Sequence, residues 1–258
     1  MFINAIDTHC HLNYGPKESL AHNYLTDIMQ EGDFYTAYWD VLSKISKMAH
    51  IGKVFVSPFD GVLDISRTEA SNEYMFDLAN KVESLYQWVI IDPQNENTFM
   101  QAERMLKSEK CVGIKIHPVC HKYFVEEYGD KIFSFADKHS AIVQIHPEKK
   151  ADYIIPFANQ YQNVTFIMAH LKSEHHIKAV RDAKYENVYV DTSGFASIKN
   201  MIIEYAVSQI GSEHILFGTD TYSAAFQRGR IEFALLPKED KQKILRDNAL
   251  RLFAKNLL

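Results

Sequence analysis

The chain has 258 residues, 47% of them hydrophobic and 24% charged, which describes a folded protein able to bury a large core. Its formal net charge is -5 and its pI about 6.2, with no long block of lysine or arginine, so nucleic-acid binding has no electrostatic support. No apolar run approaches a membrane span and no signal peptide precedes the first strand; the three cysteines (Cys10, Cys111, Cys120) lack zinc-finger spacing, so a soluble cytoplasmic protein with reduced thiols is expected.

In chain order, a short apolar run (Phe2, Ile3, Ala5, Ile6) leads into His9-Cys10-His11. On an extended strand alternate side chains share a face, so His9 and His11 point one way and Cys10 the other. Two neighbouring imidazoles suit a transition-metal ion, although a lone His-x-His is a weak signal. A polar segment with the turn pair Gly15-Pro16 follows. The helical stretch after it, through Leu20, Tyr24, Ile28, Tyr35, Tyr38, Leu42, Ile45 and Met48, reads equally as a crossover helix or as a flap over a site.

Apolar runs recur at 53–57, 86–91, 112–117, 141–146, 164–170, 188–191 and 215–220, and each predicts a strand. Helix-spaced apolar positions predict helices at 68–83, 98–108, 132–139, 153–161, 177–183 and 198–209, with two more at 229–235 and 238–253. Strands and helices alternating eight times predict parallel strands with crossover helices, and the continuous apolar character of the strands fits burial on both faces. The expected architecture is α/β, a (β/α)8 TIM barrel, with residues 1–258 forming one domain. No Gly-x-Gly-x-x-Gly follows the first strand, which removes the main reason to prefer a dinucleotide-binding sheet.

The polar residues fall where such a barrel would gather them. His9 and His11 end the first strand, Lys115 and His117 the fourth, His146 the fifth, His170 the sixth, Asp191 the seventh and Asp220 the last. C-terminal strand ends share one face of a barrel, so these residues would converge. Each alone has an ordinary explanation. A strand-end histidine commonly bonds a carbonyl, which for His117 weighs evenly against a substrate contact or a place behind the ligands. An inward Lys115 needs a partner: Asp191, Asp220, an anionic substrate, or carbamylation into a metal ligand. Asp191 reads best as a cap on the turn Thr192-Ser193-Gly194, and Glu148 as a loop residue. His22, His50, His121, His139, His175, His176 and His214 fall in predicted helices or loops and are expected to be solvated. Four histidine-bearing strand ends together with a terminal Asp are hard to explain by chance, and the joint pattern points to a metal.

These residues resemble a known family. Asp7-Thr8-His9-Cys10-His11, Gly113-Ile114-Lys115-Ile116-His117-Pro118, Gln144-Ile145-His146-Pro147, Met168-Ala169-His170, Leu216-Phe217-Gly218-Thr219-Asp220 and the closing stretch Ile244 to Phe253 are similar, in order, to the amidohydrolase superfamily. The likeness is to its amidohydrolase-related (amidohydrolase 2) group of metal-dependent hydrolases and decarboxylases. The resemblance implies that His9, His11, His146 and Asp220 ligate one divalent metal, zinc being expected. It makes His170 a nearby imidazole that polarises substrate or moves a proton; on physical grounds Asp220, beside the metal, can accept a proton from bound water. Two ions are implied only if Lys115 is carbamylated. Lys115 and His117 are left as substrate-binding candidates.

Bound zinc brings its water to a pKa of about 7, so hydrolysis of a small amide, lactone or ester follows naturally. The alternative is non-oxidative decarboxylation of a small aromatic or unsaturated carboxylate. Hydrolysis is the expected reaction because the small relatives resembled are mostly read as hydrolases, and because no arginine sits on a predicted strand end to hold a carboxylate. Arg67, Arg228 and Arg230 lie in loops or helix starts, with Arg228 nearest Asp220 in sequence. Tyr14, Tyr24, Phe34, Tyr35, Tyr38 and Trp39 read either as a planar pocket or, preferably, as helix packing. The partner expected is a small-molecule substrate, with no nucleic acid and no membrane; a homo-oligomer is compatible with the sequence.

Overall fold

Eight strands, β1 (Ala5–Leu12), β2 (Ile51–Pro58), β3 (Leu85–Ile90), β4 (Cys111–Ile116), β5 (Ile142–Ile145), β6 (Thr165–Met168), β7 (Val188–Asp191) and β8 (Ile215–Leu216), pair in sequence order, every pair parallel. The computed structural model describes residues 3–12, 38–221 and 223–257. β8 is only two residues long, and closure is completed beyond it: Thr8 N donates to Phe217 O at 2.9 Å, and Thr219 N to His9 O at 3.0 Å. Helices alternate with the strands, so the fold is the (β/α)8 barrel that the alternating pattern predicts.

Two apolar layers hold it. Between strands and helices lie residues such as Val56, Val89, Ile114, Val143, Phe166 and Val190, packed with Met75, Phe133 and Ile177. Inside the barrel Ile6, Phe55, Trp88, Ile167 and Leu216 meet Phe253. The Phe253 ring stands edge-on to Phe55 at 4.9 Å and to Trp88 at 5.6 Å, so the C-terminal segment supplies part of the barrel's filling.

The register of β1 matters most for the site. Asp7 pairs Val54 and Cys10 pairs Val56, so β1 carries one residue more than β2 over that interval. Such a bulge switches which parity faces inward. Ile6 belongs to the inner layer, whereas beyond the bulge Cys10 joins the outer one, leaving His9 and His11 to the interior.

Several expectations need correction. His121 and His176 are buried rather than solvated: His121 Nε2 lies 2.9 Å from Gly61 O, and His176 Nε2 lies 3.1 Å from Ala169 O. Each is a core imidazole bonded to a carbonyl, as is common for a lone buried histidine. The predicted helix at 132–139 starts earlier, at Val125, where Glu148 accepts from Val125 N at 3.1 Å; Glu148 is thus a loop residue capping that helix. The helix predicted at 229–235 runs Ala224–Glu232 instead, and that predicted at 238–253 is interrupted by a π-helical turn, Lys243–Asp247. Of the early aromatic stretch, Trp39–Met48 is a helix and Trp39 packs on the core; Tyr14, Tyr24, Phe34 and Tyr35 lie outside the described residues. Among the described residues no helix is long and apolar enough to cross a membrane.

Candidate metal centre and active site

The C-terminal strand ends bring His9, His11, Lys115, His117, His146, His170, Asp191 and Asp220 together. His9 Nε2 lies 3.5 Å from Asp220 Oδ1, and His11 Nε2 lies 3.1 Å from the same oxygen, across more than two hundred residues of chain. The backbone arranges this. Asp7, buried, accepts from Thr219 N at 3.0 Å, Thr219 Oγ1 at 2.6 Å and His9 N at 3.2 Å, which ties β1 to the segment carrying Asp220. Burial pushes the Asp7 carboxyl up to about 7 despite those hydrogen bonds. Thr221 adds a second tie, accepting from His11 N at 2.8 Å and donating to His11 O at 2.7 Å.

His170 and Asp220 both follow their strands with positive φ, 64° and 56°. That region costs a non-glycine residue about 1–2 kcal/mol, and the strain turns both side chains over the mouth. Gly194 is required beside them. Its φ is 73°, and a Cβ there would come within 2.8 Å of Asp220 Oδ2 and 2.9 Å of His170 Nδ1. Gly194→Ala is therefore expected to lower kcat/KM by about a hundredfold by displacing both groups. Its thermal midpoint should fall by a few degrees, as a cost of about 1 kcal/mol implies. Kinetics and thermal unfolding on the same preparation check both, and unchanged kcat/KM would remove Gly194 from the site.

Carbonyls and carboxylates only accept, and this settles the imidazole tautomers. His9 Nδ1 faces Asp191 Oδ2 at 2.8 Å, His11 Nδ1 faces Ser57 O at 3.2 Å, and His170 Nδ1 faces Ser193 O at 3.2 Å. Each Nδ1 carries a proton, so each ring in its neutral form presents an Nε2 lone pair. His170 Nε2 lies 3.1 Å from His146 Nδ1, which must then be the donor, leaving His146 Nε2 also unprotonated. His117 is the opposite: its Nδ1 accepts from Cys120 N at 3.2 Å, so its Nε2 carries the hydrogen. It stacks on His146 with centroids 4.0 Å apart.

Burial keeps the rings of His9, His117 and His146 neutral, while Asp191 and Asp220 stay charged. Burial lowers His9 to about 4, with Lys115 acting the same way and Asp191 opposing. Burial also holds His146 and His117 well below the ordinary imidazole value, helped by neighbouring positive groups. Burial alone would raise Asp220, but the surrounding imidazoles of His170, His11 and His9 hold it well below the usual carboxylate range. Asp191 is likewise held low, against its burial, by His9 and by Ser193. Lys115 is fully buried, with Nζ 3.1 Å from both His9 Nε2 and Gln144 Oε1, and burial brings it down to about 8.

Among the described residues His9, His170 and Asp220 form a triple whose ligand atoms lie within 4.8 Å of one another. His11 joins it through Asp220, and His146 through His170. Asp191 is more than a turn cap: besides Ser193 N at 3.0 Å, it takes His9 Nδ1 and His170 N. Ser57, Ser193 and the Asp7–Thr219 tie were not anticipated; short polar side chains near strand ends carry no periodic signal. Arg228 turns away from the mouth, donating to Ile3 O, Ala49 O and His50 O, and Arg230 donates to Thr192 O and Ser197 O.

A family model described as amidohydrolase matches residues 6–255. This chain belongs to the amidohydrolase family. No curated protein matches it by sequence. Among solved structures, this chain is similar to 5-carboxyvanillate decarboxylase from Sphingomonas paucimobilis, at 14% identity and TM-score 0.70, covering 98% of this chain and 99% of that one. It is similar to dihydroxybenzoic acid decarboxylase from Polaromonas sp. JS666, with bound manganese and the inhibitor 2-nitroresorcinol, at 17% identity and TM-score 0.70, covering 97% and 98%. A probable 2-pyrone-4,6-dicarboxylic acid hydrolase from Acinetobacter baumannii, with citric acid bound, gives 15% identity and TM-score 0.65, covering 97% and 99%. At these identities the likeness shows the barrel fold alone.

Proposed function

We propose that this amidohydrolase-family chain is a metal-dependent enzyme that decarboxylates a small aromatic or unsaturated carboxylate, with His9, His11, His146 and Asp220 holding one divalent ion. The carrying observation is the convergence of acceptors. With neutral rings, the Nε2 lone pairs of His9 and His11 face one carboxylate oxygen, and a cation relieves that repulsion. Three imidazoles and a carboxylate suit zinc, while the manganese in the Polaromonas neighbour supports the harder alternative. One ion is favoured over two, because His146 and His170, which would hold the second, are hydrogen-bonded to each other, and Lys115 sits on Gln144.

Such an ion would supply fixed positive charge for a carboxylate or an adjacent oxygen. The chain supplies the rest. Lys115 Nζ, close to His9, and the Nε2–H of His117 are the donors proposed to hold the substrate carboxylate, which answers the lack of an arginine. Asp220, ionised, takes a proton from a substrate hydroxyl or water and returns it to the ring carbon. A C–H bond forms there as the C–C bond breaks and carbon dioxide leaves. His170, whose Nδ1 lies 4.0 Å from Asp220 Oδ2, presents its Nε2 lone pair at the mouth as a second proton acceptor. The names of all three structural neighbours describe a carboxylate on a planar ring, and two are decarboxylases, which supports this reaction over the hydrolysis preferred from sequence. Hydrolysis of an amide, lactone or ester is the second reading, favoured by one observation: Arg228 and Arg230 are committed to backbone carbonyls elsewhere.

Metal analysis of chelator-free protein is expected to find about one zinc or manganese per chain. Replacing His9 and His11 together by Ala should abolish it. The reaction is tested by screening aromatic carboxylates, cyclic amides and lactones with metal-replete protein, following carbon dioxide and acid release. Carbon dioxide release is the expected result; a hydrolysis product without carbon dioxide would promote the second reading.

A further inference from the structure

One carboxylate stands behind two of the site imidazoles, but it touches only one of them directly. Asp191 Oδ2 lies 2.8 Å from His9 Nδ1. Its other oxygen, Oδ1, accepts from the backbone N of His170 and of Ser193 but makes no hydrogen bond to the His170 ring. Between Asp191 and that ring stands the Ser193 hydroxyl. Ser193 Oγ is 2.5 Å from Asp191 Oδ1, 2.9 Å from His170 Nδ1 and 2.9 Å from His9 Nδ1, and the residue is fully buried.

A serine hydroxyl has one hydrogen and two lone pairs. The shortest of its three contacts is to the carboxylate, the strongest acceptor of the three, so the hydrogen goes there. Oγ is left an acceptor only, and both imidazoles must offer it an N–H. We infer that Ser193 is a positioning residue, relaying the Asp191 carboxylate to His170: its Oγ, at 2.9 Å, is the nearer of two acceptors for the Nδ1–H, its carbonyl oxygen at 3.2 Å being the other, and together they hold the Nε2 lone pair toward the mouth and His146. His9 keeps its own direct bond to Asp191 and does not depend on the relay. The two rings therefore respond differently to loss of one hydroxyl. The inference rests on the proposed function only where it speaks of turnover; the tautomer is a property of the chain itself.

Nitrogen-15 NMR of histidine-labelled, metal-free protein at mildly alkaline pH tests it, with His170→Gln and His9→Gln used to assign the signals. In the unmodified chain both rings should show the Nδ1–H pattern. In Ser193→Ala the nearer acceptor is lost and the carbonyl oxygen at 3.2 Å remains, so the His170 Nδ1–H signal should shift and its proton exchange faster with solvent, while His9, still bonded to Asp191, changes less. With metal restored, kcat should fall about tenfold, as for loss of other partners behind site imidazoles, and affinity for zinc by less. An Nε2–H pattern for His170 in the unmodified chain overturns the relay, with no variant needed. So does a folded Ser193→Ala protein whose His170 Nδ1–H signal and proton exchange are unchanged. A chain that binds no metal and turns over none of the carboxylates would remove the proposed function and leave the tautomer result standing.

Discussion

Asp220→Asn is expected to retain bound metal and to lose about three orders of magnitude in kcat, the range in which a positioned proton carrier contributes. Asn keeps a carbonyl oxygen where His9 Nε2 and His11 Nε2 converge, so three imidazoles and an amide oxygen remain around the ion. What is lost is the ability to take and return a proton. Asp220 is suited to take it because its neighbours keep it ionised, against the effect of burial. The measurement is kcat at saturating substrate with metal content determined on the same sample. Turnover unchanged at full metal occupancy would remove Asp220 from proton transfer. The same variant separates an enzyme from a binding protein, since a binder would keep its ligand affinity and have no turnover to lose.

Asp191→Ala should destabilise the folded chain by about 3–5 kcal/mol, the usual cost of breaking a buried charged pair from one side. Asp191 is fully buried and receives His9 Nδ1, His170 N, Ser193 N and Ser193 Oγ. It is also a nearby negative charge for Lys115, whose ammonium is fully buried. Alanine would leave four donors and a cation short of an acceptor in a space too polar to collapse around a methyl group. Urea unfolding of metal-free protein reads the effect as a shift in midpoint at constant slope. A loss below about 1 kcal/mol would show that the carboxylate is dispensable to the fold and that Lys115 finds its compensation in Asp220.

The alternation of short apolar runs with helix-spaced stretches is a local property, readable without knowing what packs on what, and it was enough for the barrel. Strand ends meet on one face of any such barrel, so the convergence of His9, His11, His146, His170 and Asp220 followed from topology. The lone histidines show the limit of that reasoning. His121 and His176 carry no signal that separates a solvated imidazole from one bonded to a carbonyl in the core, and the fold buried both. Arg228 lies eight residues after Asp220, yet its helix carries it to the far end of β1. Proximity in sequence says little once a helix intervenes.

What the sequence determined by itself was the fold class, the strand that carries each site residue and the chemical kind of the site. Periodicity and residue type are written in the chain one position at a time. The tertiary structure alone decided which nitrogen of each imidazole faces inward, that Asp191 serves His9 as well as its turn, and that Ser193 joins that carboxylate to His170. Those choices depend on one bulge in β1, on left-handed backbone at His170 and Asp220, and on a glycine that leaves room at 194. Each is a contact or a steric exclusion between segments distant in sequence, and such distances exist only after the barrel has closed.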